Sequence, residues 1–327
     1  MSNSGEHRVV VMSAEQVRHE TPWLRLIDAL ELAFRQPLHV PERVHMDVAG
    51  AGSLLIMPAW QADGFLGVKV VQVFPRNSSI GKPALNGIYM LSSAVTGEVH
   101  AYIDAQELTA RRTAAASALA SKFLSRPNSR CQLVMGTGRL AFEVIAAHSQ
   151  VRPIDRVLIW GRQQNKAISL AQRVSKQLNL QAAPVGDLPA ALAQADIVST
   201  VTAAFEPILP GQHIRPGTHI DLIGGFTPLM READDATMQR ATLFVDSLAV
   251  AQREAGDIAD PLARGIIARE DICGDLFDLC NGRIAGRRRE SEITLFKSVG
   301  IALEDFAAAT LAWNSLKSHD APRRANP

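Results

Sequence analysis

The chain has few cysteines and no long apolar run, two features that are typical of particular protein classes. It holds three cysteines among 327 residues, and none stands in a C-x-x-C spacing, so neither a disulfide framework nor a cysteine-ligated zinc site is indicated. No apolar run reaches the roughly 18 residues of a membrane span, and the first residues lack the apolar core of a secretory signal. We therefore expect a soluble, cytoplasmic protein with reduced thiols.

A concentration of charge of one sign is also missing. Lys and Arg number 34 and Asp and Glu 33, and the densest basic run, residues 287–289, is followed at once by Glu290. Nucleic acids and membrane surfaces select concentrated basic patches, so neither is an expected partner. No His, Cys or acidic residues stand at metal-ligand spacing and no G-x-S-x-G motif occurs, which argues against metal and serine-hydrolase chemistry.

What the chain does have, from about residue 130, is a regular alternation of strands and helices. "CQLVMG", "RVLIWG", "IVSTV" and "THIDLIGG" are short apolar runs separated by helical periodicity. This alternation predicts an α/β fold with a Rossmann-type, doubly wound parallel sheet. The preceding segments "SLLIMPAW" and "FLGVKVVQVFP" predict a separate α+β domain, and "ITLFKSVGIALEDFAAATLAWNSL" predicts a last helix that folds back onto it.

A glycine loop follows the first strand of this block. In "LVMGTGRLA", Gly136, Gly138 and Ala141 match G-x-G-x-x-G/A between a strand and a helix. The first glycine permits a tight turn, the second lets a pyrophosphate approach the backbone, and the alanine lets the helix lie close to the strand. The following helix N-terminus offers unpaired N–H groups to the anion. A dinucleotide cofactor is predicted.

The end of the second strand indicates which dinucleotide. NAD-binding proteins typically place an acid there for the ribose 2′-hydroxyl, whereas an arginine suits the 2′-phosphate of NADP. This chain has Gly161 followed by Arg162, with Lys166 close behind and no acid between them. NADPH is the predicted cofactor, with NADH possible. The alternative is that Arg162 is a solvated loop residue.

Basic residues occupy positions where apolar ones would be expected. Lys69 lies inside the apolar strand "LGVKVVQV", Arg43 shares a predicted strand face with His45, and Arg112 lies in the alanine-rich "LTARRTAAASALAS". Together they would suit a small carboxylate, because an arginine fork binds both oxygens. Each also has a structural alternative: Lys69 could extend from an edge strand to solvent, and the arginines could close salt bridges.

The motifs "GVKVV", "ARRTAAASALAS", "GTGRLA", "DLIGGFTP" and "FKSVGIALED" occur in the order in which they resemble the ornithine cyclodeaminase/μ-crystallin family. The resemblance covers about residues 43–308. It implies a substrate-binding and dimerisation domain over residues 1–115 and 300–327, a Rossmann domain over residues 116–299, and a homodimer.

By matching motif positions, the resemblance also implies site residues. Arg43, Lys69 and Arg112 would hold the substrate carboxylate, and Lys69 would also be catalytic. The cofactor contacts would be Arg112, Gly136, Thr137, Gly138, Arg139, Leu140, Gly161, Arg162, Thr202, Ile223, Gly224, Gly225 and Ser298.

Members of this family divide at the tip of the double-glycine strand, where cyclodeaminases carry an aspartate. This chain has Phe226 and Thr227 there, which favours ketimine reduction and an apolar, water-excluding tip. The resemblance thus implies reduction of Δ1-pyrroline-2-carboxylate to L-proline, with Δ1-piperideine-2-carboxylate to L-pipecolate second. Alternatives are a cyclodeaminase or amino-acid dehydrogenase that uses another acid such as Glu232, and a ligand-binding protein of μ-crystallin type.

Overall fold

The computed structural model describes residues 8–320, apart from the side chains of residues 78 and 320. The outermost residues of the predicted substrate domain, 1–7 and 321–327, lie outside the described range. The strands are β1 Val10–Met12, β2 Val44–Val48, β3 Gly52–Trp60, β4 Phe65–Val73, β5 Leu85–Ser93, β6 Val99–Asp104, β7 Cys131–Met135, β8 Arg156–Trp160, β9 Gln181–Pro184, β10 Ile197–Thr200, β11 His219–Leu222, β12 Thr242–Val245, β13 Ile272–Asp275 and β14 Thr294–Lys297. The α-helices are α1 Ala14–Glu20, α2 Trp23–Arg35, α3 Ala105–Leu124, α4 Arg139–Val151, α5 Gln164–Leu178, α6 Leu188–Leu192, α7 Asp235–Arg240, α8 Leu248–Glu254, α9 Gly256–Ala263, α10 Leu276–Cys280 and α11 Ala302–Asp320.

The chain divides into two compact units. Unit 1 comprises residues 1–112 and 302–327, and unit 2 comprises residues 113–301. The division falls inside α3, between Arg112 and Thr113, and again between Ile301 and Ala302. The boundaries predicted from the sequence, at residues 116 and 299, lie within three residues of these positions.

Unit 1 is built on a six-stranded sheet in the order β1-β6-β5-β4-β3-β2. Neighbours from β2 to β6 are antiparallel, and β1 runs parallel to β6. Side chains alternate between the two faces of each strand. One face is buried beneath α11, where Met57 and Ala59 pack against Ala302 and Phe306. The opposite face retains exposed apolar side chains, which are discussed below.

Unit 2 is an eight-stranded parallel sheet in the order β13-β12-β14-β11-β10-β7-β8-β9. Its central strands are buried along their whole length, as expected for a parallel sheet covered on both faces. From β7 the chain first builds outward through β8 and β9 and then returns to place β10 on the other side. Such a switch point opens a ligand crevice beyond the carboxyl ends of the strands. The predicted α/β, Rossmann-type fold class is confirmed.

Two elements differ from the sequence-based expectation. The segment Thr294–Lys297, predicted as the start of the last helix, is β14 and lies between β11 and β12 at the centre of the sheet. A four-residue segment with two apolar residues, Leu295 and Phe296, is too short for its periodicity to distinguish a strand from a helix. Gly300, at a φ of +82°, separates this strand from α11. Arg43 was predicted to lie within a strand, but β2 begins one residue later.

Candidate active site

A cleft of about 820 Å³ opens in unit 2 at the carboxyl ends of the strands. It is formed by the glycine loop after β7, the end of β8 with the start of α5, and the segment after β10. Its lining residues are Gly136, Thr137, Trp160, Gly161, Arg162, Gln163, Lys166, Val201, Thr202, Ala203, Ala204, Phe205, Glu206 and Ile208. Five residues predicted from the sequence as cofactor contacts, Gly136, Thr137, Gly161, Arg162 and Thr202, thus meet in this cleft.

The glycine loop has the geometry that a dinucleotide phosphate requires. Gly136 has a φ of +128°, and a Cβ there would lie 2.8 Å from Val201 Cγ2, so a side chain is excluded. A Cβ on Gly138 would meet no described atom within 4 Å, which leaves open space beside the backbone. Gly138 is the N-cap of α4, and no side-chain hydrogen bond from this residue caps the helix. The first-turn N–H groups and the positive end of the helix dipole therefore suit an anion.

The rim of the cleft beyond β8 is basic. Arg162 and Lys166 are both exposed and both line the cleft. Gly161 lies against the loop, since a Cβ there would approach Thr137 Cγ2 to 2.7 Å. The acid on the lining is Glu206, which comes from the segment after β10.

A buried carboxylate holds the strand ends on the far side of the cleft. Glu232 is fully buried and accepts four hydrogen bonds of 2.7 Å, from Thr200 Oγ1, Thr202 N, Thr202 Oγ1 and Gly224 N. The end of β10 is thereby tied to the loop after β11. With both oxygens engaged by donors that hold the backbone, Glu232 is poorly placed to exchange protons with a substrate.

The double glycine after β11 is required by the protein's own packing. A Cβ on Gly224 would lie 1.9 Å from the Thr202 carbonyl oxygen, and one on Gly225 would lie 2.9 Å from Asp257 Oδ2. Asp257 also pairs with Lys297, with 3.2 Å between Oδ2 and Nζ. Phe226, the next residue, is 42% exposed, so the water-excluding tip expected from the sequence is not formed by burial of this ring.

Unit 1 contains a buried cluster of two cations and two acids. Lys69 of β4 lies 2.6 Å from Asp305 Oδ2. Arg112 of α3 donates from Nε to Asp305 Oδ1 at 3.0 Å and from Nη1 to Glu304 Oε2 at 2.7 Å. Neither bond uses Nη2 of the guanidinium. The four side chains are at most 7% exposed, and their formal charges cancel.

Burial and the neighbouring charges in this cluster shift the pKa values of Lys69 and Arg112. Burial lowers the pKa of the Lys69 ammonium to about 8, although Asp305 opposes the fall by stabilising the charge. Burial also disfavours the charge on Arg112, but Asp305 and Glu304 outweigh it and hold the pKa of the guanidinium above its ordinary value. Arg112 is therefore a permanent cation, whereas Lys69 can exchange a proton near neutral pH.

A phenol lies beside Lys69 in the sheet. Tyr89 of β5 is the cross-strand neighbour of Lys69 and is fully buried. Among residues 8–320 its hydroxyl has no hydrogen-bond partner. A Cβ on Gly67 would lie 1.8 Å from that hydroxyl oxygen, so this glycine makes room for the phenol. Burial raises the pKa of Tyr89 well above its ordinary range, and nearby Asp305 adds to the shift.

The structure therefore joins Lys69 and Arg112 through a shared acid. Arg43 lies before β2 with a partly buried side chain, and its role in binding the carboxylate stays a prediction. Gly138, Arg139 and Leu140 form the start of α4, Ile223 to Gly225 follow β11, and Ser298 follows β14. Their contacts with a cofactor, and that of Arg112, stay predictions.

Glu304 and Asp305 are two further site residues that were not predicted from the sequence. The available signal was the pair of adjacent acids in "ALEDFAAA", inside a helix that is otherwise apolar. Acids in such a position are buried only when they are paired.

Comparisons with known proteins agree with this fold. The model of the ornithine cyclodeaminase/mu-crystallin family matches residues 7–320. A Δ1-pyrroline-2-carboxylate reductase of Paracoccus denitrificans is 39% identical over 287 residues, which cover 86% of this chain and 90% of that protein. The chain belongs to the ornithine cyclodeaminase/μ-crystallin family, as predicted.

Solved structures show the same architecture over nearly the whole chain. The Δ1-pyrroline-2-carboxylate reductase of Thermococcus litoralis, in complex with NADH and L-proline, has a TM-score of 0.92 and 32% identity, covering 95% of this chain and 98% of its own. An archaeal alanine dehydrogenase dimer with bound NAD has a TM-score of 0.89 and 28% identity, covering 96% and 97%. Within residues 8–320, no helix combines the length and apolarity needed to cross a bilayer.

Proposed function

We propose that the protein is a nicotinamide-dependent reductase of cyclic ketimine carboxylates. Its main substrate would be Δ1-pyrroline-2-carboxylate, reduced to L-proline, with Δ1-piperideine-2-carboxylate reduced to L-pipecolate as second. The activity named for the Paracoccus relative and the L-proline and NADH in the Thermococcus structure support the reaction class. The cleft and glycine loop of unit 2 fit a dinucleotide, and the cations of unit 1 fit a carboxylate.

When bound, the nicotinamide supplies the hydride for the carbon of the C=N bond. Arg112 carries a permanent charge. It holds the substrate carboxylate with the guanidinium N–H groups that do not bind Glu304 or Asp305. Lys69, with a pKa of about 8, is charged at neutral pH and donates a proton to the imine nitrogen. Asp305 bonds both residues and keeps ammonium and guanidinium at a constant separation, which favours one orientation of the ring.

One observation favours a reductase over a cyclodeaminase: both carboxylate oxygens of Glu232 already accept hydrogen bonds from the protein itself. Deamination needs an acid that moves protons at the imine carbon. Phe226 and Thr227 stand at the strand tip, and Glu232, the acid that could have replaced the missing aspartate, is held by four donors.

We expect NADPH-dependent reduction of Δ1-pyrroline-2-carboxylate and no release of ammonia from L-ornithine with NAD. The assay measures NADPH oxidation over a panel of cyclic imino acids and, separately, ammonia from ornithine. Ammonia release at a rate comparable to imine reduction would refute the reductase. Saturable ligand binding without turnover of any imine would instead favour the binding-protein alternative.

The preference for NADPH over NADH is also part of the proposal. The Thermococcus reductase structure contains NADH, and the archaeal alanine dehydrogenase structure contains NAD. The support for NADPH comes instead from Arg162 and Lys166 at the rim of this chain's cleft. Arg162→Ala should lower kcat/KM for NADPH by roughly 10- to 150-fold, the equivalent of a lost charge-assisted hydrogen bond of about 1.5–3 kcal/mol, and leave NADH nearly unaffected. Lys176→Ala, an exposed change in the last turn of helix α5, is the control. Equal losses for both cofactors would contradict the assignment.

We further propose that the protein is a homodimer formed through the uncovered face of the unit 1 sheet. Val44, Met46 and Val48 alternate along edge strand β2 and are 37–49% exposed, and Ile88 of β5 is 43% exposed. Exposed apolar faces of this kind mark association sites, and a second copy presents the same surface. The archaeal alanine dehydrogenase was solved as a dimer.

Ile88→Glu should shift the sedimentation of the protein from dimer to monomer, because the interface would bury an unpaired charge. Leu32→Glu, on α2 and also in unit 1, should leave the dimer intact. A monomeric parent protein, or a dimer unaffected by Ile88→Glu, would exclude this interface.

A further inference from the structure

Two histidines and a glutamate meet where the ends of two unit 1 helices lie side by side. His19 and Glu20 are the last residues of α1, and His319 lies in the last turn of α11. His19 Nδ1 lies 2.9 Å from Glu20 Oε1, and His319 Nε2 lies 3.3 Å from Glu20 Oε2. One ligand atom from each of the three side chains falls within 4.8 Å of the others. Nothing in the sequence spacing reveals this group, since 298 residues separate Glu20 from residue 319.

We propose that His19, Glu20 and His319 form a Zn²⁺ site. Two imidazoles and one carboxylate are a ligand set that zinc accepts, with a water completing the tetrahedron. Ligand atoms about 2.1 Å from a tetrahedral zinc lie about 3.4 Å apart. Here one ligand atom from each residue lies within 4.8 Å of the others, and each imidazole faces a different oxygen of the Glu20 carboxylate. The two rings, 75% and 60% exposed, can turn to close the remaining distance, and solvent reaches the fourth position.

The carboxylate in this group is held in place before any metal binds. The Glu20 side chain is only 6% exposed although both rings beside it face solvent, and it accepts a hydrogen bond from Ser315 of α11. A buried carboxylate requires a compensating cation. A divalent cation would compensate the charge of the carboxylate and accept a nitrogen lone pair from each imidazole.

Zinc bound here would link the end of α1 to the end of α11. The first turn of α11 carries Glu304 and Asp305, the acids that hold Lys69 and Arg112. A metal that binds only the folded form stabilises that form by mass action. The site would therefore stabilise unit 1 without touching substrate or cofactor.

The test uses the metal-free full-length protein and ZnCl₂ alone. Calorimetric titration should show one Zn²⁺ per chain, and saturating Zn²⁺ should raise the melting temperature by roughly 3 °C or more. Co²⁺ in place of Zn²⁺ should give visible absorption of tetrahedral type. Glu20→Gln and His319→Gln should each weaken binding at least about tenfold and remove the melting shift, because each deletes a ligand.

His213→Gln is the matched control, since His213 is a partly exposed histidine in unit 2. It should bind Zn²⁺ as the parent does. If Glu20→Gln fails to fold, His319→Gln alone decides, because its ring is 60% exposed and its loss removes little packing. Absence of saturable binding in the parent would overturn the site, and so would equal affinity in the parent and His319→Gln.

Discussion

Replacing Lys69 with methionine should lower kcat/KM for Δ1-pyrroline-2-carboxylate by about 10²- to 10⁴-fold, the usual contribution of a positioned general acid. Methionine fills a similar volume on the buried face of β4, and Asp305 keeps its bond to Arg112. The loss of one of two buried cations should nevertheless lower the free energy of unfolding, as it does for Arg112→Met below. Steady-state NADPH oxidation measures the loss, and circular dichroism checks the fold. Lys82→Met, an exposed lysine elsewhere in unit 1, should behave as the parent does.

The pH dependence identifies the proton donor. The donor is the charged form of Lys69, which is fully present below its pKa of about 8 and is lost as the pH rises through that value. In the parent, kcat/KM should therefore be level below pH 8 and fall above it, and Lys69→Met should lack this descending limb. If Lys69→Met is slow but keeps the same descending limb, another group donates the proton and Lys69 only supplies charge.

Replacing Arg112 with methionine should affect both stability and turnover. It leaves Glu304 and Asp305 buried with only Lys69 as a cation, and breaking a buried ion pair in this way typically costs about 3–5 kcal/mol of unfolding free energy. It should also raise KM for the imino acid and lower kcat, since the substrate loses its near-attack orientation. Substrate esters should then lose their disadvantage relative to the free acid. Urea unfolding and acid-versus-ester kinetics measure the two effects.

Two further variants separate charge from geometry at this position. Arg112→Lys keeps a cation beside both acids and should recover much of the stability but little of the discrimination between acid and ester, because an ammonium lacks the planar fork. Arg111→Met removes the neighbouring arginine, which stacks on Trp23 and donates to Thr21, and should leave the discrimination intact. If Arg112→Met still separates acid from ester as the parent does, Arg112 is structural.

Local pattern was enough to predict most of the Rossmann unit. Strands β7 and β10 are short, mainly apolar runs, and their burial on both faces can be predicted from their residues. The glycine loop depends on the backbone angle φ and on how closely a ligand can approach the backbone, which are local properties. The strand at Thr294–Lys297 lies in a segment whose sequence predicts a helix, because four residues with two apolar side chains carry no distinguishing period. Its place between β11 and β12 is a property of the assembled sheet.

Residue types at given positions were sufficient to predict the fold class, the glycine loop and the absence of an acid at residues 226 and 227. Which charges compensate one another, in contrast, depends on how the chain folds. Arg112 and Asp305 are 193 residues apart, and the pKa of Lys69 depends on its burial and on the charges of both residues. The sequence allows Glu232 to be a catalytic acid. The four groups that donate hydrogen bonds to it, however, come from strand ends that meet only in the folded sheet. The free energy of a buried charge depends on its neighbours in space, and spacing along the chain does not record them.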